Sequence, residues 1–207
     1  CCSVKYDSYP YLLNMCGIVG ILNRTGEPVD LALLVAMRDR MRSRGPDDEG
    51  IWVAEGGAVA FGHRRLAIID LSPLGHQPML SEDGRFVITY NGEVYNFADL
   101  RRELISAGHH FRSRSDTEVV LAAYREWGET CVERFVGMFA FGIWDEKRRE
   151  LFLARDRLGI KPLYYYVDAE QVVFASRLGP LLLHPGIPHD IDPEALALYL
   201  EVGFVPA

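Results

Sequence analysis

Apolar residues fall in short runs along most of this chain, and the residues between the runs distinguish strand from helix. Run 18–22 is rich in β-branched residues and ends on Asn23, Thr25, Gly26 and Pro28, which predicts a buried strand and a turn. Leu31, Leu34, Val35, Met37 and Met41 then recur at helical spacing behind Asp30, a plausible cap, until Gly45-Pro46 forbids continuation. Four runs follow, 51–54, 58–61, 66–69 and 86–90, broken by Gly56-Gly57, Ser72-Pro73 and Asp83-Gly84; they predict antiparallel strands. Stretch 96–107 is amphipathic and closes on Gly108, while Ser115 and Glu118 form a capping box ahead of Val119, Val120, Leu121 and Tyr124. Strands return at 138–144, 151–154, 163–167 and 172–175, the first two flanking the polar turn 145–149, as a second meander. A helix over 193–201 comes last, and the chain stops at Val205-Pro206-Ala207 without a closing element, as expected of a truncated end. Strands, helices and strands again predict a layered α+β fold with helices outside two sheets.

Composition narrows the class. At 207 residues, 49% of them apolar and 25% charged, the chain is long enough for one domain with a core of its own. A net charge of -7 gives no global positive field to hold a nucleic acid, and no apolar run approaches the roughly 20 residues that span a bilayer. Cysteines at 1, 2, 16 and 131 have neither disulfide-framework nor zinc-site spacing, which points to a reducing compartment, the cytoplasm. Residues 1–14 lack the basic start of a secretory signal and read as a leader or a non-native extension before Met15.

Candidate chemistry centres on Cys16, which follows an initiator-like methionine and is small enough to permit its removal. As first residue it would combine a thiol with an α-amino group, whose pKa of about 7.7–8.0 leaves part of it free to take the thiol proton. A buried structural cysteine is an equal reading of Met15-Cys16-Gly17 taken alone. Asn91-Gly92 offers a side-chain amide and a backbone N–H in a tight turn, a donor pair for an oxyanion or a plain hairpin turn. Arg65 beside an apolar strand is costly without an anion, and its planar fork suits a carboxylate. Strand alternation sends Arg64 to the opposite face, as a solvated charge. Asp116 complements the next helix's dipole, yet Ser115 and Glu118 already supply the cap, so a second acid is available for a cation. His63 and the pair His109-His110 have no partner at metal-ligand spacing, so helix-end or surface roles are expected of them.

Six blocks in order carry a resemblance: 15–20 (MCGIVG), 44–47 (RGPD), 63–70 (HRRLAIID), 90–96 (YNGEVYN), 115–118 (SDTE) and 155–159 (RDRLG). Together they resemble the amino-terminal, class II glutamine amidotransferase domain of glutamine-hydrolysing asparagine synthetases, and the likeness runs from Met15 to the end. The resemblance implies a four-layer αββα sandwich of two antiparallel sheets, the amino-terminal nucleophile (Ntn) hydrolase architecture. It also implies that Cys16 attacks the side-chain amide of L-glutamine and that Asn91 and Gly92 stabilise the oxyanion. Arg65 would hold the α-carboxylate, Asp116 with Glu93 the ammonium, and the main chain of Leu66 and Ile68 would line the pocket. The 44–47 loop would lie near the pocket's mouth. Residues 155–165 read by themselves as mainly strand and turn, with their charges facing a partner domain. By the same resemblance, 15–190 is the glutaminase domain and 191–207 begins the connection to a carboxy-terminal synthetase domain, absent here, which would use ATP and magnesium to convert aspartate to asparagine. No cofactor or metal is expected in this chain, and a homodimer is left open as an assembly. Related amidotransferases with other acceptors are a second reading; a silent interaction module, if residues 1–14 stay attached, is a third. Three origins for those residues stand, translation from Met15, removal of a propeptide, or retention, and the first is preferred.

Overall fold

The structure, a computed structural model, describes residues 15–205; residues 1–14, with Cys1, Cys2 and the leader question, lie outside them. In chain order come β1 (Gly17–Asn23), α1 (Leu31–Asp39), β2 (Asp48–Val53), β3 (Val59–Arg65), β4 (Met79–Leu80) and β5 (Phe86–Val94). Then follow α2 (Phe97–Ser106), α3 (Asp116–Trp127), β6 (Gly137–Asp145), β7 (Glu150–Arg155), β8 (Tyr164–Val167), β9 (Gln171–Ala175), α4 (Leu178–Leu181) and α5 (Pro193–Val202). Short 3-10 turns occupy Pro73–Gly75 and Gly128–Arg134.

The strands form two antiparallel sheets, β2-β3-β1-β9-β8 and β4-β5-β6-β7. Alternation explains the layering, because each strand sends every second side chain to the space between the sheets. Ile18, Phe61 and Phe174 from one sheet meet Val87, Ala140 and Trp144 from the other, and burying each large side chain contributes about 1.5–3 kcal/mol. Gly20 is required here: a Cβ would stand 2.3 Å from the Phe174 ring. On the outer faces, Leu34 and Met37 of α1 and Leu181 of α4 cover the five-stranded sheet. Leu100 and Leu104 of α2, with Val119, Val120 and Tyr124 of α3, cover the four-stranded one. The order is helix, sheet, sheet, helix, as expected.

Local signals held where a cap or a glycine set them. Asp30 caps α1 by accepting from Ala32 and Leu33 N–H at 2.9 and 3.1 Å, and Ser115 caps α3 by accepting from Thr117 N–H at 3.1 Å. Four expectations fail. Residues 66–69 are not a strand but a loop, held by the Asp47 carboxylate on Ala67 N–H at 2.8 Å. The last four strands are not one meander, since β6 and β7 join one sheet and β8 and β9 the other. Glu118 does not close a capping box, because its carboxylate is taken by the N–H groups of Arg112 and Ser113 at 2.9 and 2.8 Å. Asn91-Gly92 is not a turn: both lie inside β5, paired with Ala140 and Phe139 of β6. No helix among the described residues is long and apolar enough to cross a membrane.

Candidate active site

Cys16 sits one residue before β1, and that strand's pairing with β3 sets the thiol beside the loop that follows Arg65. Its Sγ lies 3.4 Å from Leu66 N, which donates to it, and 3.6 Å from Leu66 O. The thiol opens on a cleft of about 390 Å³ between the edges of the two sheets and the start of α3, lined also by Arg65, Ile68, Asn91, Gly92, Glu93, Asp116 and Lys161. The eight residues to which the resemblance gives a place at the glutamine site, Cys16, Arg65, Leu66, Ile68, Asn91, Gly92, Glu93 and Asp116, therefore line one cleft. A second cleft, of about 380 Å³ and lined by Leu80, His109 and Glu126, holds none of them.

The walls carry opposite charges. Arg65 ends β3 with its guanidinium donating to the main-chain carbonyls of Ser72, at 3.1 Å, and Asp70, so the fork is fixed without a carboxylate partner among the described residues. Asp116 opens α3; one of its oxygens accepts from Tyr90 Oη at 2.7 Å and from Val94 N–H at 3.1 Å. Burial pushes its carboxyl pKa up against those hydrogen bonds. The Cys16 thiol is also pushed up, by burial first; the Leu66 N–H, Arg65 and Lys161 act against that shift, and Asp116 adds to it.

Strand pairing supplies the donors. Phe139 exchanges its hydrogen bonds with Asp156, so opposite Gly92 the ladder is in its non-bonded step and the Gly92 N–H faces away from β6. On that same edge Tyr90 N–H is taken by Gln77 and Val94 N–H by Asp116, which leaves Gly92 N–H directed to the cleft. A Cβ on Gly92 would stand 2.6 Å from Met138 O, so the approach of β5 to β6 needs glycine. Next to it Asn91 Nδ2 is buried with no hydrogen-bond partner among the described residues. A buried donor left unpaired costs about 1–3 kcal/mol, and such groups concentrate where a ligand completes them.

A family model for the glutamine amidotransferase domain matches residues 15–207. The chain belongs to this family. The amidotransferase domain is 43% identical over 192 residues to asparagine synthetase (glutamine-hydrolyzing) 3 of Bacillus subtilis, covering 91% of this chain and 31% of that protein. It is 39% identical over 211 residues to putative asparagine synthetase (glutamine-hydrolyzing) 2 of Methanocaldococcus jannaschii, covering 93% of this chain and 40% of that protein. It thus spans about a third of the length of the curated relatives it matches. Among solved structures, glutamine phosphoribosylpyrophosphate amidotransferase from B. subtilis, complexed with ADP and GMP, matches with a TM-score of 0.69 at 22% identity over 81% of this chain and 43% of that one. That likeness is one of fold, two antiparallel sheets between layers of helices.

Around its cleft the amidotransferase domain corrects several readings of single residues. Arg64 is not a solvated charge but buried, ion-paired with Asp39 at 2.6 Å and with Glu49. Ile68 lines the cleft with a side chain that is largely exposed, at 67%. His63 is neither at a helix end nor on the surface: it is fully buried in β3 with Nε2 3.1 Å from Tyr90 O, and burial lowers its pKa to about 4. Residues 155–165 do not simply present charge outward. Asp156 is buried and accepts from the N–H groups of Phe139, Ile160 and Lys161, and Lys161 turns into the cleft. Loop 44–47 does more than end a helix, since Arg44 O holds Met15 N–H at 3.2 Å and its side chain reaches Ser176 O at 2.9 Å. Lys161, Tyr90 and Gln77 were missed as site residues; the nearest signal was the position of Lys161 just past the 155–159 block and of Tyr90 at the head of the 90–96 block.

Proposed function

We propose that the domain hydrolyses L-glutamine to glutamate and ammonia through a thioester on Cys16, once Cys16 is the first residue of the chain. The observation that carries this is one cleft that joins a thiol, a fixed guanidinium, a buried carboxylate and two N–H donors unclaimed among the described residues. Glutamine carries the complementary groups. Its α-carboxylate pairs with Arg65 and its ammonium with Asp116, with Glu93 as a second acceptor, while the main chain of Leu66 and Ile68 lines the pocket. These contacts bring the side-chain amide to Sγ.

The α-amino group of Cys16 takes the thiol proton, directly or through a water, and Sγ bonds to the amide carbon. The carbonyl oxygen becomes an oxyanion facing Asn91 Nδ2 and Gly92 N–H, donors already aimed and so requiring no reorganisation. The proton passes to the amide nitrogen, the C–N bond breaks, and ammonia leaves. Water, deprotonated by the same amine, then attacks the γ-glutamyl thioester, which releases glutamate and restores the thiol.

Residues 15–190 form the glutaminase unit on this reading, and 191–207 lead toward a synthetase domain that uses ATP and magnesium to turn aspartate and the delivered ammonia into asparagine in the cytoplasm. Two facts support it. The relatives named as glutamine-hydrolysing asparagine synthetases are much longer than this chain, and α5 buries none of its residues, with Leu196, Leu198, Tyr199 and Leu200 exposed. The test is ammonia release from L-glutamine by protein beginning at Cys16. Equal amounts of glutamate and ammonia are expected from the parent and background rates from Cys16→Ala; an unchanged rate in the variant overturns the reading.

A further inference from the structure

Lys161 lines the cleft, yet glutamine hydrolysis, as laid out above, gives its ammonium no task. Its side chain is 8% exposed, and its Nζ stands 3.1 Å from the Met15 Sδ. A thioether is a poor partner for an ammonium, and a buried ammonium without a carboxylate is costly unless something else needs it there. The loop that delivers it is built with care. The Asp156 carboxylate accepts from Ile160 and Lys161 N–H at 2.9 Å each, and Arg155 clasps the carbonyls of Gly159 and Lys161 at 2.5 and 2.9 Å. Nζ is therefore held against the residue whose departure makes Cys16 a terminus.

Resting on the glutaminase reading, we propose that Lys161 is a positioning residue for the new terminus: its ammonium, freed from Met15, keeps the α-amino group of Cys16 in the neutral, proton-accepting form. Two cations close together in a partly buried cleft disfavour each other's charge, and the group with the lower intrinsic proton affinity yields first. Burial, with Arg44, lowers the pKa of Lys161, but its ordinary value of about 10.4 starts well above the value of about 7.7–8.0 of an α-amine in the same cleft, so the amine yields first. The same ammonium favours the thiolate when the proton moves.

The neighbouring charges do not cancel it. Arg44, from the turn after α1, adds a second positive charge on the Lys161 side. Glu93 of β5 and Asp156 at the start of the Lys161 loop act on the ammonium from a distance, and Arg65 at the end of β3 and Asp116 of α3 face the thiol with opposite effects. Tyr90 of β5 stays a neutral phenol, its pKa raised by burial and by Asp116. Removing Met15 also releases the Arg44 carbonyl from its 3.2 Å hydrogen bond, leaving an acceptor beside the new terminus.

The experiment is the pH profile of kcat/KM for ammonia release by protein beginning at Cys16, compared with Lys161→Met and Lys161→Arg. In Lys161→Met the acid limb moves up by about one unit, so the rate at mildly acidic pH falls about tenfold more than the rate on the plateau. Lys161→Arg keeps the limb where the parent has it. A Met profile that superimposes on the parent's, scaled or not, overturns the proposal, and so does an Arg variant that shifts as Met does. Should Lys161→Met not fold, the α-amine is read directly by NMR of parent protein carrying 15N-cysteine. A midpoint below about 7.7 supports the proposal, and one at or above it overturns it. Loss of ammonia release in Cys16→Ala tests the parent reading separately.

Discussion

Asn91→Ala separates catalysis from stability. In the resting domain the Asn91 amide is 2% exposed and its Nδ2 makes no hydrogen bond among the described residues. Truncation therefore removes a donor whose isolation costs about 1–3 kcal/mol, which offsets most of the packing lost with so small a side chain. Stability should change by no more than about 1 kcal/mol. In the transition state the same group meets an oxyanion, and loss of one such donor raises the barrier by about 2.7–4 kcal/mol, a fall of about 10²–10³ in kcat. KM for glutamine should hardly move, because the ground-state carbonyl carries little of that charge. Steady-state ammonia release gives kcat and KM, and urea unfolding gives stability. A kcat within about threefold of the parent, under about 1 kcal/mol of barrier, refutes the oxyanion role. A stability loss above about 3 kcal/mol instead means that Nδ2 has a partner in the resting protein.

Arg65→Met removes a charge-assisted contact to the α-carboxylate, worth about 1.5–3 kcal/mol, so KM should rise about tenfold to a hundredfold with a smaller change in kcat; an unchanged KM contradicts the assignment. Asp116 has its pKa raised by burial, and a protonated carboxyl no longer attracts an ammonium. KM should therefore rise as pH falls through that raised pKa, above the ordinary aspartate range, and Asp116→Asn should give a high KM without this dependence. His63 is held neutral to about pH 4 against 6.5 when unfolded. Between those values the unfolded chain takes up a proton that the folded chain does not, so stability is constant above about 6.5 and falls on acidification by about 3 kcal/mol. Urea midpoints across that range should show the fall in the parent and a flatter curve in His63→Gln, and equal slopes refute it.

Much of the fold could be read from local chemistry. Asp30 and Ser115 cap helices because an aspartate or serine oxygen satisfies the first free N–H groups whatever the tertiary context. The alternating runs marked strands but not their partners, since pairing depends on where the chain returns; β8 and β9 therefore crossed to the other sheet unseen. Asn91-Gly92 carries a turn signature, yet the close approach of Phe139 and Met138 uses the same glycine to pass a neighbouring strand. The 66–69 run is apolar enough for a strand, but Asp47 claims the Ala67 N–H that a ladder would need. At the site, Cys16, Arg65, Asn91, Gly92, Glu93 and Asp116 were legible through ordered blocks rather than through any single residue. Lys161 and His63 were not, because burial of a cation or an imidazole is decided by residues far away in the chain.

The role of the free terminus is open to direct measurement, with two preparations that differ only in Met15, their first residues checked by intact mass, assayed for ammonia release from L-glutamine. Protein beginning at Cys16 should release ammonia, and protein beginning at Met15, its nitrogen at residue 16 tied up in a peptide bond, should not. Equal rates from both would contradict the mechanism in which Cys16 supplies nucleophile and base together.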